Sequence, residues 1–249
     1  MNIVIFDTET TSLDKPFCYN IGYLIVNVET QTVLTKKDFV VEQTWHNKMC
    51  FASAYYADKR PIYIKAMKAR TVKMEKYGYI CQEMIRDFNK YDVIRAFAYN
   101  SSFDEKVFNF NCDWFKCNNP FDNITIKDIR GFVHQFLIDD NYKAFCELNK
   151  NFTESGNYST TAETVTQNIT NNKDFVEDHT ALSDSIIECN ILFYCLNKGA
   201  EILGEYSTKK SIVRNSPKIL TIFSQKQKIF EIKCKNYRIL KSKNEIHIK

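Results

Sequence analysis

The chain has 249 residues, 44% of them hydrophobic, with a formal charge of +4 and nine cysteines. This is enough apolar material for a sizeable core in one ordinary domain plus an appendage, and no apolar run reaches the length of a membrane span. An odd cysteine count without paired spacing, and a first strand with no basic or secretory stretch before it, lead us to expect reduced thiols in a cytoplasm.

Charge is unevenly spread. Residues 201–249 carry 12 Lys+Arg against 4 Asp+Glu, which leaves 22 against 26 for the rest. A basic C-terminal fifth fits a polyanion partner, and equally a lysine-rich solvated surface. Residues 2–6 are an apolar, β-branched run short enough for a buried strand, and Asp7 and Glu9 follow at its end. Alternate side chains of an extended chain share a face, so these two carboxylates would project together. Such a pair is either solvated in a loop or neutralised by cations, and hard oxygen donors suit Mg²⁺ or Mn²⁺.

Residues 19–28 and 33–41 read as two more strands, making a three-stranded meander with the first. Residues 45–89 turn helical, with Tyr77, Ile80, Cys81, Met84 and Phe88 at helical spacing and Pro61 opening a helix. Residues 55–63 mix aromatic and basic side chains, which would either stack bases and hold phosphate or fill a core. Residues 93–99 form a second central strand, and Asn100, Ser101 and Ser102 would cap a helix starting near Phe103, with Asp104 in its first turn. The helix dipole favours an acid there whatever its role.

A short strand at 124–126 and a helix at 128–138 follow. Residues 153–175 are polar, a loop or a loop broken by a helix at 161–169 capped by Thr160, and the segment expected to be most mobile. Asp178 would cap a helix to about residue 196, with His179 at its entrance and Asp184 a turn further in. Residues 229–234, 237–240 and 245–248 alternate like strands, with Lys235-Asn236 and Lys243-Asn244 as turns, giving a small basic β-appendage. Cys112 and Cys117 are loosely spaced, with no second Cys/His pair near them in sequence, which argues against zinc.

Taken together, Phe6-Asp7-Thr8-Glu9-Thr10-Thr11, Tyr99-Asn100-Ser101-Ser102-Phe103-Asp104 and His179-Thr180-Ala181-Leu182-Ser183-Asp184 resemble the three motifs of the DEDDh (DnaQ-like) 3′→5′ exonucleases, the last as H-x₄-D. The flavour is that of stand-alone enzymes of bacteriophages or low-GC bacteria, which would place the chain in a bacterial or phage-infected host cytoplasm. The resemblance implies an α/β, RNase H-like fold: a mixed central sheet, an antiparallel meander plus parallel strands, flanked by helices. It covers residues 1–200 as the exonuclease domain and leaves 201–249 as the basic β-rich extension.

It further implies two Mg²⁺ or Mn²⁺ ions. Asp7, Glu9 and Asp184 would hold one, Asp7 would bridge to the second, Asp104 would act on that second ion, and His179 would deprotonate the attacking water. Thr10, Thr11, Leu13, Tyr99, Asn100 and Phe103 would meet the terminal nucleotides. The implied reaction is metal-dependent hydrolysis of DNA, single-stranded ends preferred, to nucleoside 5′-monophosphates. RNA on the same site is an alternative, as is a non-cleaving module docking a replication or repair protein; the retained acids and His speak against the latter.

Overall fold

The computed structural model describes residues 1–52 and 54–208, together with the backbone of three strands beyond them. The chain divides into two compact units, one of Met1–Leu137 with Thr160–Thr208, the other of Ile138–Ser159 with Lys209–Lys249.

The first unit is organised on a six-stranded mixed sheet of order β4-β3-β2-β1-β5-β6. Strands β1 (Asn2–Thr10), β2 (Cys18–Asn27) and β3 (Thr32–Val41) form the expected antiparallel meander. β5 (Val93–Ala98) and β6 (Ile126–Asp128) add in parallel on one side, and β4 (Lys73–Glu75) in parallel on the other. β4 was not expected: three residues inside a helical pattern give too short a period-two signal.

β1 is longer than its apolar run. It continues through the acid motif to Thr10 because β2 keeps pairing with it, Asp7 opposite Gly22 and Glu9 opposite Asn20, until a register shift between Glu9 and Thr10. Asp7 and Glu9 are therefore strand residues, held in pleat, and share one face.

On the opposite face, Val4 and Phe6 pack with Tyr23 and Ile25 against α4 (Tyr77–Lys90) and α5 (Ser101–Phe115), an aromatic-rich core with Phe6 stacked 4.3 Å from Phe121. The long segment between the meander and β5 folds as α1 (Glu42–His46), α2 (Lys48–Ala52), a 3₁₀ turn (Ala57–Lys59), α3 (Arg60–Lys68), β4 and α4. Pro61 sits in the first turn of α3, as its fixed φ and missing N–H favour. A smaller core of Tyr19, Trp45, Phe51 and Tyr63 ties α1, α2 and α3 to the sheet.

After β6, Asp128 caps α6 (Ile129–Phe136) by accepting from Arg130 N–H at 2.8 Å. α7 (Asp140–Asn149), in the second unit, has no counterpart in our sequence reading; Asp139 caps it by accepting from Tyr142 N–H at 2.8 Å. The helix expected at 161–169 is α8 (Ala162–Thr170), with Thr161 rather than Thr160 at its cap.

The last long helix, α9 (Ala181–Asn197), starts later than expected. Thr180 stands at its N-cap and no side chain caps it, so Asp178 is not the cap. α9 lies across the acid-bearing face of β1 and β2, and Gly22 makes that contact possible: a Cβ there would fall 2.0 Å from Leu182 N. In the second unit β7 (Phe230–Cys234), β8 (Tyr237–Lys241) and β9 (Ile246–Ile248) form an antiparallel three-stranded sheet. The Lys235-Asn236 and Lys243-Asn244 turns lie outside the described residues. Among those residues, no helix is long and apolar enough to cross a membrane.

Candidate active site

Three elements of the first unit place acids at the C-terminal end of β1. The strand itself presents Asp7 and Glu9, and the first turn of α9 presents Asp184; one carboxylate oxygen from each lies within 4.8 Å of the others. Asp104, in the first turn of α5 and 2% exposed, is fixed by the Thr8 hydroxyl, which donates to Oδ1 at 2.7 Å. Thr8 lies between Asp7 and Glu9 in sequence and points to the opposite face of the strand, where α5 runs.

Burial in one place drives these carboxylates toward their neutral forms. Desolvation pushes Glu9 up to about 8, with Asp184 adding repulsion, and pushes Asp184 and Asp104 each up to about 7. Asp7 rises well above the ordinary carboxylate range, chiefly by burial and then by the charge of Asp104.

His179 stands in the extended stretch just before α9, in the left-handed backbone region at φ 52°. A non-glycine residue there is uncommon and is held by its surroundings. The Tyr56 ring stacks on the imidazole at 4.3 Å and 14°. Nδ1 lies 4.0 Å from Asp184 Oδ2 and 3.9 Å from Glu177 Oε2, beyond hydrogen-bond length, so the ring is not locked to either acid. Burial, and then the Lys59 charge, hold its pKa below the ordinary imidazole value.

Beside the acids opens a cleft of about 480 Å³ lined by Glu9, Leu13, Tyr55, Tyr56 and Phe103 among others. That volume is ordinary for a small-ligand pocket. Thr10 and Thr11 also line it. Leu13 is 76% exposed and so makes no core contact at the strand end. Tyr99 and Asn100 lie outside this lining. The Tyr99 hydroxyl donates to Thr160 O at 2.6 Å, and Asn100, left-handed at φ 64°, receives a hydrogen bond from Arg130 Nη1 at 3.2 Å. Asn100 is the N-cap of α5 by position, without a side-chain capping bond. The aromatic-basic stretch splits, with Tyr55 and Tyr56 on the cleft and Tyr63 in the core.

Several residues at the site escaped the sequence reading. Glu188, one turn beyond Asp184 on α9, is 4% exposed; its Oε2 has no hydrogen-bond partner, and burial together with Asp104 raises it well above the ordinary value. Its signal was an acid at i+4 from Asp184 on a face otherwise made of Ala181, Ser185, Cys189 and Leu192. Glu177, pushed up to about 8 by burial and the Asp184 charge, likewise leaves a buried oxygen unpartnered.

Asn20, fully buried, anchors the start of α9. Its Oδ1 accepts from Ala181 N–H at 2.8 Å and the Tyr63 hydroxyl at 2.9 Å, while its Nδ2 donates to Asp38 Oδ1 at 2.6 Å. An amide inside an apolar strand, two residues before Gly22, was the available clue.

The donor set fits divalent cations. Three carboxylates converge within reach of one ion, all oxygen, and Asp184 Oδ1, Glu177 Oε1 and Glu188 Oε2 are buried without partners.

No family model matches the chain, and no curated protein matches it in sequence. Solved structures match its fold. The nuclease domain of 3′hExo, a DEDDh family member, bound to rAMP, is similar over 83% of this chain and 97% of that one, at 14% identity and a TM-score of 0.50. A 3′-exonuclease described for 3′-end specific recognition of a histone mRNA stem-loop is similar over 80% of this chain and 83% of that one, at 15% identity and a TM-score of 0.54. E. coli exonuclease I in complex with a dT13 oligonucleotide is similar over 79% of this chain but 41% of its own, at 12% identity and a TM-score of 0.51. The architecture is thus the RNase H-like fold expected from the motifs.

Proposed function

We propose that the chain is a divalent-metal-dependent 3′→5′ exonuclease of the stand-alone DEDDh kind, removing nucleoside 5′-monophosphates from DNA with a preference for single-stranded ends. The observation that carries this reading is the meeting of Asp7, Glu9 and Asp184 within 4.8 Å, with the His179 imidazole 4.0 Å from Asp184 and an aromatic cleft alongside. The likeness in fold to 3′-exonucleases supports it.

Asp7, Glu9, Asp104 and Asp184 would hold two Mg²⁺ or Mn²⁺ ions. Bound there, the ions supply charge compensation to the attacking and leaving oxygens of phosphodiester hydrolysis. The chain's own groups do the rest. His179, kept neutral by burial and Lys59, accepts the proton of the attacking water. Its lack of a fixed acceptor lets the ring turn to the water, and the Tyr56 stack keeps it over the cleft. Phe103, Tyr55 and Leu13 give the terminal bases apolar surfaces, and Thr10 and Thr11 offer polar groups to the 3′-terminal sugar.

RNA is the second reading, favoured by one observation: the structural neighbour similar over 97% of its length is bound to rAMP. One assay tests both. End-labelled single-stranded DNA, duplex DNA and RNA are each incubated with and without Mg²⁺ and read for mononucleotide ladders. We expect ladders from the single-stranded DNA that vanish with EDTA. Faster release from RNA would favour the second reading, and no release from any of the three would defeat both.

A further inference from the structure

Cys81 stands on the buried face of α4, Cys112 in the last turn of α5 and Cys117 just past that helix. Cys81 Sγ lies 4.0 Å from both Cys112 Sγ and Cys117 Sγ, and all three sulfurs fall within 4.8 Å of one another. None of the three is in a disulfide. Local backbone geometry delivers the third thiol. Lys116, left-handed at φ 54°, ends α5, and Cys117 N–H donates to Cys112 O at 3.1 Å, folding Cys117 back beside Cys112. The sequence spacing argued against zinc because no further ligand lay near the pair; the fold supplies one from 31 residues upstream.

We propose that Cys81, Cys112 and Cys117 form a three-thiolate site for one thiophilic divalent ion, Zn²⁺, separate from the acid cluster. Thiolates on one Zn²⁺, bonded at about 2.3 Å in tetrahedral geometry, stand about 3.8 Å apart. The observed 4.0 Å separations need a shift of only tenths of an ångström. Soft sulfur donors select such an ion over Mg²⁺ or Mn²⁺. Three ligands leave a fourth position for a water, and Cys117 is the half-buried member of the three.

Binding releases the three thiol protons and leaves one net negative charge. Asp104 and Cys112 are eight positions apart on α5, about 12 Å of helix, so the thiol site and the acid cluster occupy opposite ends of that helix. An ion joining Cys81 to Cys112 would fasten α5 to α4 at the far end from Asp104.

The test uses the full-length protein, reduced and stripped with a chelator, titrated with Co²⁺ alone under inert gas. Thiolate-to-cobalt charge-transfer absorption reports sulfur ligation, to which the carboxylate cluster does not contribute. We expect the band to saturate at one equivalent, to be displaced by Zn²⁺, and to be weakened at least ~100-fold in apparent affinity by Cys81→Ser and by Cys117→Ser, beyond the usual effect of losing an outer-shell partner. Far-UV circular dichroism of the stripped variants checks their folding. Should a variant not fold, alkylation of Cys117 in the wild-type protein gives a second readout: equimolar Zn²⁺ should slow it, and chelator should restore it. Absence of the band in the wild-type protein, a band unchanged in both folded variants, or alkylation of Cys117 indifferent to Zn²⁺ would overturn the proposal.

Discussion

Asp7 stands among Asp104, Glu188, Glu9 and Asp184, all of which repel its charge. Asp7→Asn removes a charge without removing volume. We expect mononucleotide release to fall below detection. The metal-free protein should meanwhile become more stable, because repulsion at the centre of the cluster is relieved; about 1 kcal/mol would raise the melting temperature by about 2–4 °C for a chain of this size. Melting in EDTA, paired with the ladder assay, checks both, and retained Mg²⁺-dependent cleavage would count against the site. His179→Ala should slow release by about 10²–10⁴-fold. In the wild-type protein the acid limb of the rate profile should lie below the ordinary imidazole range, since burial and Lys59 lower the His179 pKa. An alanine variant with the same acid limb would deny His179 the role of base. That Asp7, Glu9, His179 and Asp184 come close together was legible from motif spacing, D-x-E at one end of the chain and H-x₄-D near the other. Glu177 and Glu188 were not legible, because an acid on a helix or loop reads as solvated until the fold buries it.

The encounter of α9 with β2 decides where Asp184 and His179 stand. Ser185 Oγ donates to Gly22 O at 3.1 Å, and Asn20 Oδ1 receives the Ala181 N–H at 2.8 Å, so a side chain of each element bonds the other's backbone. A methyl group at residue 22 would lie 2.0 Å from Leu182 N, which is backbone and cannot rotate away. Gly22→Ala should therefore push α9 off the sheet, costing about 3 kcal/mol as overpacking and carrying Asp184 away from Asp7. A lower urea midpoint with unchanged slope, together with lost activity, is the expected result, and wild-type stability would show that the contact yields more easily than its geometry implies. Helix and strand periodicity made the meander, β5 and α9 legible. It could not reveal β4, whose three residues pair only because β3 offers a free edge, nor the late start of α9, where His179 adopts a left-handed backbone that no periodicity encodes.

At the level of the whole molecule two charge distributions oppose each other. The first is the basic excess of residues 201–249, which would draw nucleic acid to a slightly acidic body. Ending the chain after Thr208 should raise the concentration of single-stranded DNA needed for half-maximal rate. It should also flatten the salt dependence of binding by about 0.7 logarithmic units per lost phosphate contact, and an unchanged salt slope would show that the tail serves something other than nucleic acid. The second is the buried acid cluster. In the folded chain Asp104 and Asp184 titrate near 7 and Glu9 and Glu177 near 8, against ordinary values of 3.8 and 4.5. Between about pH 4 and pH 8 the native state thus binds more protons than the unfolded chain, and stability falls as pH rises through that window. These groups stabilise fully only below their unfolded values and lose that contribution as pH climbs past their folded ones. Cations that favour the ionised carboxylates work in the opposite direction, since binding must displace the same protons. In EDTA, the melting temperature should therefore drop by several degrees between pH 5.5 and 8.5, at about 2–4 °C per kcal/mol. With Mn²⁺ present the drop should shrink or reverse, and the stabilisation by Mn²⁺ should grow with pH. A melting temperature in EDTA that stays level or rises over that range would mean that the acids are not held together in the folded chain.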